Sequence, residues 1–242
     1  GIYMKKLVKH AFHTRRIFIF ASTKKEKMPM KRYYCIIALV ILSILPSYAQ
    51  VEFGVRAGGA YSSLIQRVQD EYMSGGRFGW SIAGLMDVHL YKGLSFRPEV
   101  GFVNQGGSYY SQYNNPLTSE AHNKYSYYSI QVPLNLAYTF HITDIRLSVF
   151  AGPALDFSLF GKMRTHGTQP STNIDFGSKE EPNLKTFDLG VNIGMSVEYS
   201  RFFFAINSVT GTLDRRSAKR EGESNVFQNN VTFSLGYFFR KN

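Results

Sequence analysis

The sequence has one cysteine, little charge and no long apolar run after its first fifty residues, and each scarcity excludes a class of protein. Its single cysteine, Cys35, excludes a disulfide framework and a cysteine-based zinc site. Charged residues are 19% of the chain, below the ~25% of soluble domains, whereas aromatic residues are 15%. Beyond Gln50 no apolar run reaches the ~18 residues of a transmembrane helix.

The formal net charge of +11 does not predict nucleic-acid binding, because most of it lies near the start of the chain. Residues 1–49 hold ten Lys/Arg and one Asp/Glu, whereas the remainder holds eighteen and sixteen. The body therefore lacks the basic surface that a phosphate backbone requires. We expect no nucleic-acid partner.

Residues 30–49 have the pattern of a secretory signal peptide. Lys31 and Arg32 precede an apolar run, and Pro46 precedes the small residues that a signal peptidase reads. A retained membrane helix is the alternative, but the apolar run from 33 to 45 is shorter than the ~20 residues of a span. We predict an upstream extension outside the fold (1–29), a cleaved signal peptide (30–49) and one domain (50–242).

Apolar and polar residues alternate through the predicted domain, most clearly from Phe187 to Tyr199. Every second residue there is large and apolar, which is typical of a strand with one apolar face. The same pattern recurs in seven other segments, of a length that suits strands crossing a bilayer: 51–61, 78–90, 94–103, 128–140, 147–159, 202–207 and 230–239.

A soluble β-sandwich would alternate too, but three patterns favour a membrane barrel. The charges fall on the face opposite the large apolar residues, as they must when that face contacts lipid; they are Arg56, Asp87, Arg97, Glu99, Asp156, Asp188 and Glu198. Short links after the even-numbered strands alternate with long polar links near 62–77, 104–127, 160–186 and 208–229. Twelve aromatic residues lie on the apolar face near strand ends, as in an interfacial girdle: Trp80, Tyr91, Phe96, Tyr128, Tyr138, Phe140, Phe157, Phe187, Tyr199, Phe202, Tyr237 and Phe239. The sequence therefore predicts an all-β fold, an eight-stranded antiparallel up-and-down transmembrane β-barrel with short periplasmic turns and long extracellular loops.

Short motifs in a fixed order resemble the PorT-type outer-membrane β-barrel family. They are the segments 53–58, 96–102, 130–134, 151–153, 187–190 and 235–239. The resemblance covers about residues 50–240, and it implies the barrel fold and an outer-membrane location. The founding member is associated with protein export, a role that we do not carry over. The chain departs from the usual aromatic ending, because Arg240-Lys241-Asn242 follows Phe239.

Charged side chains predict a polar interior that blocks passage through the barrel. An eight-stranded barrel is narrow enough for side chains to fill. Arg56, Asp87, Arg97 and Glu99 lie on neighbouring predicted strands, where we expect an ion-pair network, with scattered hydrated charges as the alternative. His89 is expected to face inward beside Asp87, as a structural pair or a proton relay. No catalytic motif follows its required context, so we expect no enzyme activity, cofactor or metal site.

The long predicted loops are the expected functional surface. Tyr109, Tyr110 and Tyr113 stand among small polar residues, a composition that suits contact with a surface protein or glycan. We expect a monomer in contact with outer-membrane lipids, with a non-enzymatic structural or surface-interaction role. The alternatives are a narrow channel or export accessory, and a lipid-modifying barrel enzyme.

Overall fold

The computed structural model describes residues 51–68, 71–110, 122–165, 171–177, 183–217 and 224–240. These residues form strands and no helix, and hence no helix that could cross a membrane. The strands are β1 (Val51–Val68), β2 (Glu71–Tyr91), β3 (Leu94–Tyr110), β4 (His122–Ile142), β5 (Ile145–Thr165), β6 (Thr172–Asn173), β7 (Phe187–Tyr199), β8 (Phe202–Gly211) and β9 (Val226–Phe238). The predicted segments 1–29 and 30–49 lie outside the described residues.

Eight long strands close into a ring. Each pairs antiparallel with its neighbours along the chain, β5 pairs with β7 past the short β6, and β9 returns to β1 with Gly54 opposite Phe238. Closure leaves no free edge, so the backbone groups of all eight strands find partners without water. The predicted eight-stranded antiparallel up-and-down barrel is confirmed. β6 adds only a two-residue pairing beside β5.

Two-residue turns join the strands at one end of the barrel. Lys92 and Gly93 have φ of 40° and 85°, as in a type I′ hairpin turn, whose twist matches that of the flanking strands. Thr143 and Ser200 take positive φ in the other two turns. We call this end, which also holds the start of β1 and the end of β9, the turn end. The opposite end is the loop end.

Large apolar side chains cover the outside of the barrel between two aromatic bands. Near the loop end Trp80, Phe102 and Tyr128 are in ring contact, with Phe160 against Tyr128. Near the turn end Tyr138 contacts Phe140, and three more rings, Phe202, Tyr237 and Phe239, form a chain. Tyr128 and Tyr138 lie on one strand, β4, at a spacing of about 26 Å along the barrel axis once the tilt is counted. This separation matches the apolar band of an outer-membrane barrel.

The strands extend further towards the loop end than the alternation predicted. Residues 62–77, expected as a long loop, belong mostly to β1 and β2, and the expected loop 104–127 is strand up to residue 110 and again from 122. These loop boundaries were wrong for a physical reason. Beyond the aromatic band the outward face meets water, so the apolar alternation ends although the backbone pairing continues.

Candidate functional site

The barrel interior is polar, the reverse of a soluble core. All seven charged residues predicted to face inward are buried on the lumen side. Around them lie Ser, Asn, Gln and Thr side chains from every long strand, such as Gln105, Asn135 and Asn230. The outer face holds the exposed apolar residues. Such inversion is stable only where lipid surrounds the barrel.

Two buried ion pairs fill the half of the lumen near the turn end. Arg56 on β1 reaches across β2 to Glu99 on β3, with Nε 2.8 Å from Oε2. Arg97 on β3 pairs with Asp87 on β2, with Nε 3.0 Å from Oδ2. Arg97 also donates to Ser196 on β7, at 3.4 Å, and so crosses the lumen. Arg97 and Glu99, close in sequence, therefore have different partners.

Aromatic rings enclose the Arg97 guanidinium inside the barrel. Its Cζ lies 5.8 Å from the ring centre of Phe150 and 5.7 Å from that of Phe238. A Cβ atom at position 194 would lie only 2.4 Å from the Phe150 ring. The ring therefore fits only because residue 194 is glycine. These rings pack against the guanidinium of the ion pair. Cation–π attraction adds to its stability.

A hydrogen-bond cluster crosses the middle of the lumen around Asp156. Its Oδ2 accepts from Gln105 at 2.8 Å, Ser129 at 3.1 Å and Gln131 at 3.2 Å. Asn230 on β9 donates to Oε1 of the Gln105 side chain at 3.2 Å, which links distant strands across the lumen. Charge-assisted bonds of this kind hold a carboxylate without a directly bonded cation.

Arg215 enters this region from the segment after β8 and is fully buried. Its Nη2 donates to Ser158 at 2.7 Å, and its guanidinium lies 5.7 Å from the ring centre of Tyr127. The Tyr127 hydroxyl in turn donates to Gln228 on the far wall at 2.6 Å. Asp188, on the neighbouring β7, accepts from the backbone of Leu213 at 3.2 Å. Arg215 therefore adds a positive charge beside the two buried aspartates.

An apolar cluster lies inside the barrel near the loop end, and we call it the plug. Its buried members are Leu64, Tyr125, Tyr127, Met163, Ile174, Leu184 and Val226, with Phe176 packed against them. Ile174, Phe176 and Leu184 lie between β5 and β7 in the chain and pack against the side chains from the strands. Backbone bonds fix this segment, with Ile174 donating to Gly161 and Gly177 to Leu184.

The turn end opens instead into a cavity of about 480 Å³. Arg240, just past β9, reaches inward here and pairs with Glu52 and Glu198, both at 2.6 Å. Arg146 lies 3.9 Å from Glu198 and is partly exposed. His89, His141 and Lys92 line the rim. No group of three or more metal-ligating side chains occurs among the described residues.

A polar lumen inside an apolar exterior is the architecture of an outer-membrane barrel, and the comparison with protein families agrees. The model of the family described as "Outer membrane protein beta-barrel domain" matches residues 46–214. The chain belongs to this family. Its outer-membrane location follows, and the turn end of the barrel faces the periplasm, as short turns do in such barrels.

Solved outer-membrane barrels resemble the chain at low sequence identity. Neisserial surface protein A (NspA) is 13% identical, with 78% of this chain and 98% of that chain covered and a TM-score of 0.42. Ail, the attachment invasion locus protein of Yersinia pestis, is 12% identical, with coverage of 78% and 99% and a TM-score of 0.41. The outer membrane enzyme PagL is 11% identical, with coverage of 75% and 99% and a TM-score of 0.35. No curated protein matches the sequence.

Within this outer-membrane barrel, the structure describes the side chains of some predicted site residues and not those of others. Asp87 is engaged by Arg97, and His89 lines the turn-end cavity together with Asp87. Among the described residues no hydrogen bond joins the His89 side chain to Asp87, so the role of this pair, structural or proton relay, stays a prediction. The backbones of Tyr109 and Tyr110 pair with Asn123 and His122 at the end of β3. Their side chains, and the whole of Tyr113, lie outside the described residues.

Sequence reasoning missed three residues that complete the interior: Glu52, Arg215 and Arg240. Arg215 lies in a predicted loop, where side chains do not alternate as they do on a strand. The alternation therefore gives no sign that Arg215 points inward. In the sequence, Arg240 is notable only because it follows Phe239, where outer-membrane barrels usually end on an aromatic residue. A signal was available, because inward acids outnumber inward arginines on the predicted strands, and the missing cations had to come from elsewhere.

Proposed function

We propose that this outer-membrane barrel conducts no solutes and acts through its loop end, in a non-enzymatic structural or surface-interaction role. The observation that carries the proposal is the plug. Apolar side chains from β1, β4, β5, β9 and the segment before β7 meet across the lumen. An apolar constriction excludes water and ions. Below it, hydrogen bonds such as Tyr127–Gln228 and Asn230–Gln105 connect opposite walls.

The proposal includes two finer points that rest on sequence alone. Removal of the signal peptide after Ala49 would free Gln50 as the mature N-terminus. Kinship with PorT-type barrels within the wider family rests on the motif order described above. N-terminal sequencing of the protein isolated from outer membranes tests the first point, and a start upstream of residue 50 would contradict it.

Single-channel recording tests the closed lumen. The protein, purified from outer membranes in nonionic detergent, is inserted into a planar bilayer. We expect no steady current from protein that migrates faster on SDS gels before boiling than after, which shows that it is folded. Steady ohmic currents from such protein would replace this proposal with a narrow channel.

A glycan array tests the surface-interaction role. The exposed chain on intact cells is compared with a variant in which Tyr109, Tyr110 and Tyr113 are all serine. We expect binding to one glycan class that the variant loses, because tyrosine supplies most of the contact area in such surfaces. Binding that is equal for both proteins would remove these tyrosines from the proposal.

A further inference from the structure

A concave pocket lined by four cations lies at the loop end, on the side of the barrel formed by β2 to β5. Its volume is about 500 Å³, and Arg77, Lys124, Lys162 and Arg164 line it together with Ser108 and Ser126. We propose that this pocket binds the phosphate groups of lipids in the outer leaflet of the outer membrane. The inference does not depend on the closed lumen or on the loop tyrosines.

The cations that line the pocket lie close together, where they repel one another. Lys124 on β4 stands directly opposite Arg164 on β5, and Lys162 is two residues further along the same strand. Like charges in such cross-strand positions destabilise a sheet. A bound anion would relieve this repulsion, whereas an ordinary solvated surface has no need to gather the charges.

No described acid neutralises the pocket. Among the described residues, none of the four cations forms an ion pair with a carboxylate. Asp175, which follows the β6 partner of Lys162 by two residues, forms no ion pair with any described cation. Arg77 uses one N–H on the Gln105 carbonyl oxygen, at 3.0 Å. Arginine has five N–H donors, so others stay available to phosphate oxygens.

The position of the pocket along the barrel axis favours a membrane lipid over a soluble anion as its ligand. On β5, Lys162 and Arg164 continue the outward face from Phe160, and on β4 Lys124 continues it from Tyr128. Phe160 and Tyr128 belong to the aromatic band, which marks the edge of the apolar membrane core. The cations thus begin roughly 5–7 Å beyond that edge, at two residues' spacing, where lipid headgroups lie. Basic pockets at this depth bind anionic headgroups.

A binding titration with purified lipid A tests the proposal. The protein isolated from outer membranes is kept in nonionic detergent, and bisphosphorylated lipid A is the probe. Trp80, the single tryptophan of the chain, lies in the aromatic band against Phe102 and Tyr128 and reports binding through its emission. We expect saturable binding that weakens as salt is raised.

Variants assign the binding to the pocket. The triple variant Lys124→Gln, Lys162→Gln, Arg164→Gln should bind at least tenfold more weakly. Lys185→Gln, an exposed cation near the loop end outside the pocket, should change affinity less than twofold. Because the substituted side chains are all exposed, these variants should fold normally, as gel mobility before boiling checks. Equal affinity of the triple variant and the wild type would overturn the proposal.

Two further arms separate lipid phosphate from other anions and from a purely structural patch. Dephosphorylated lipid A should not bind, and millimolar inorganic phosphate should not displace the lipid; the opposite result in either arm overturns the assignment. Lys124→Glu should pair with Arg164, so the melting temperature should rise while lipid affinity falls. Unchanged lipid affinity of this variant would show that the pocket is not the site.

Discussion

The two halves of the lumen are filled by different chemistry. Near the turn end, opposite charges pair inside the barrel, as Arg56 does with Glu99 two strands away and Arg240 does with two glutamates. Near the loop end, apolar side chains pack into the plug. Ion pairs need matched partners in fixed positions, whereas an apolar cluster needs only volume and exclusion of water. The turn-end half should therefore be sensitive to the identity of each side chain and the loop-end half to its size.

Removing one partner of a buried ion pair should have the largest effect. Arg56→Met leaves Glu99 charged and unpaired, and we expect a loss of about 3–5 kcal/mol in unfolding free energy. The double variant Arg56→Met, Glu99→Leu should recover most of that loss, because no charge stays unpaired. Urea unfolding in lipid vesicles measures both. A double variant as unstable as the single one would mean that packing, and not charge, controls this half.

Truncation in the plug should cost somewhat less, with no such recovery. Leu184 is fully buried, and Leu184→Ala should lower unfolding free energy by about 2–3 kcal/mol, through lost burial and a cavity. Leu184→Met, which nearly conserves volume, is the matched control and should cost less than about 1.5 kcal/mol. A large effect of the methionine variant would contradict the view that volume governs this half.

The Arg240 pairs should rank third, because the turn-end cavity admits water. Arg240→Gln leaves Glu52 and Glu198 without their nearest cation, and we expect a loss of about 1–3 kcal/mol, below that of a fully enclosed pair. Lys92→Gln, at the rim of the same cavity, pairs with no described acid and should change stability by less than about 0.5 kcal/mol. Equal effects of the two variants would show that the Arg240 pairs contribute nothing specific.

The smallest expected change is a gain outside the lumen. Lys124→Glu converts a repulsive cross-strand pair with Arg164 into an attractive one, and should stabilise the barrel by about 0.2–1 kcal/mol. High salt should reduce the gain, since both side chains are exposed. A loss of stability would indicate that the repulsion is already relieved in the free protein.

The strands were predictable wherever lipid and lumen impose opposite polarities on successive residues. The segment 187–199 alternates without a break, and its predicted bounds are those of β7. Beyond the aromatic bands this constraint disappears, which is why the extensions of β1 to β4 were not predicted. The inward direction of Arg97 and Glu99 was predictable for the same reason.

The pairings were not predictable, because the lumen offers each inward side chain several neighbours. Glu99 pairs with Arg56 two strands away, while Arg97 takes Asp87 on the adjacent strand. The alternation along a strand shows which face of the sheet a side chain lies on, but it does not show which residue that side chain pairs with. Residues outside the strands, such as Arg215 and Ile174, follow no such alternation. Only the structure shows that their side chains are buried inside the barrel.

Arg240 follows the strand that closes the ring, and it bonds to both the first long strand and β7. A chain cut just before Arg240 keeps β9 and can form all eight strand pairings of the ring, yet it leaves Glu52 and Glu198 without the cation that bridges them. Arg240 thus acts as a bridge between the first strand and β7, because it replaces a repulsion between two carboxylates with two attractions.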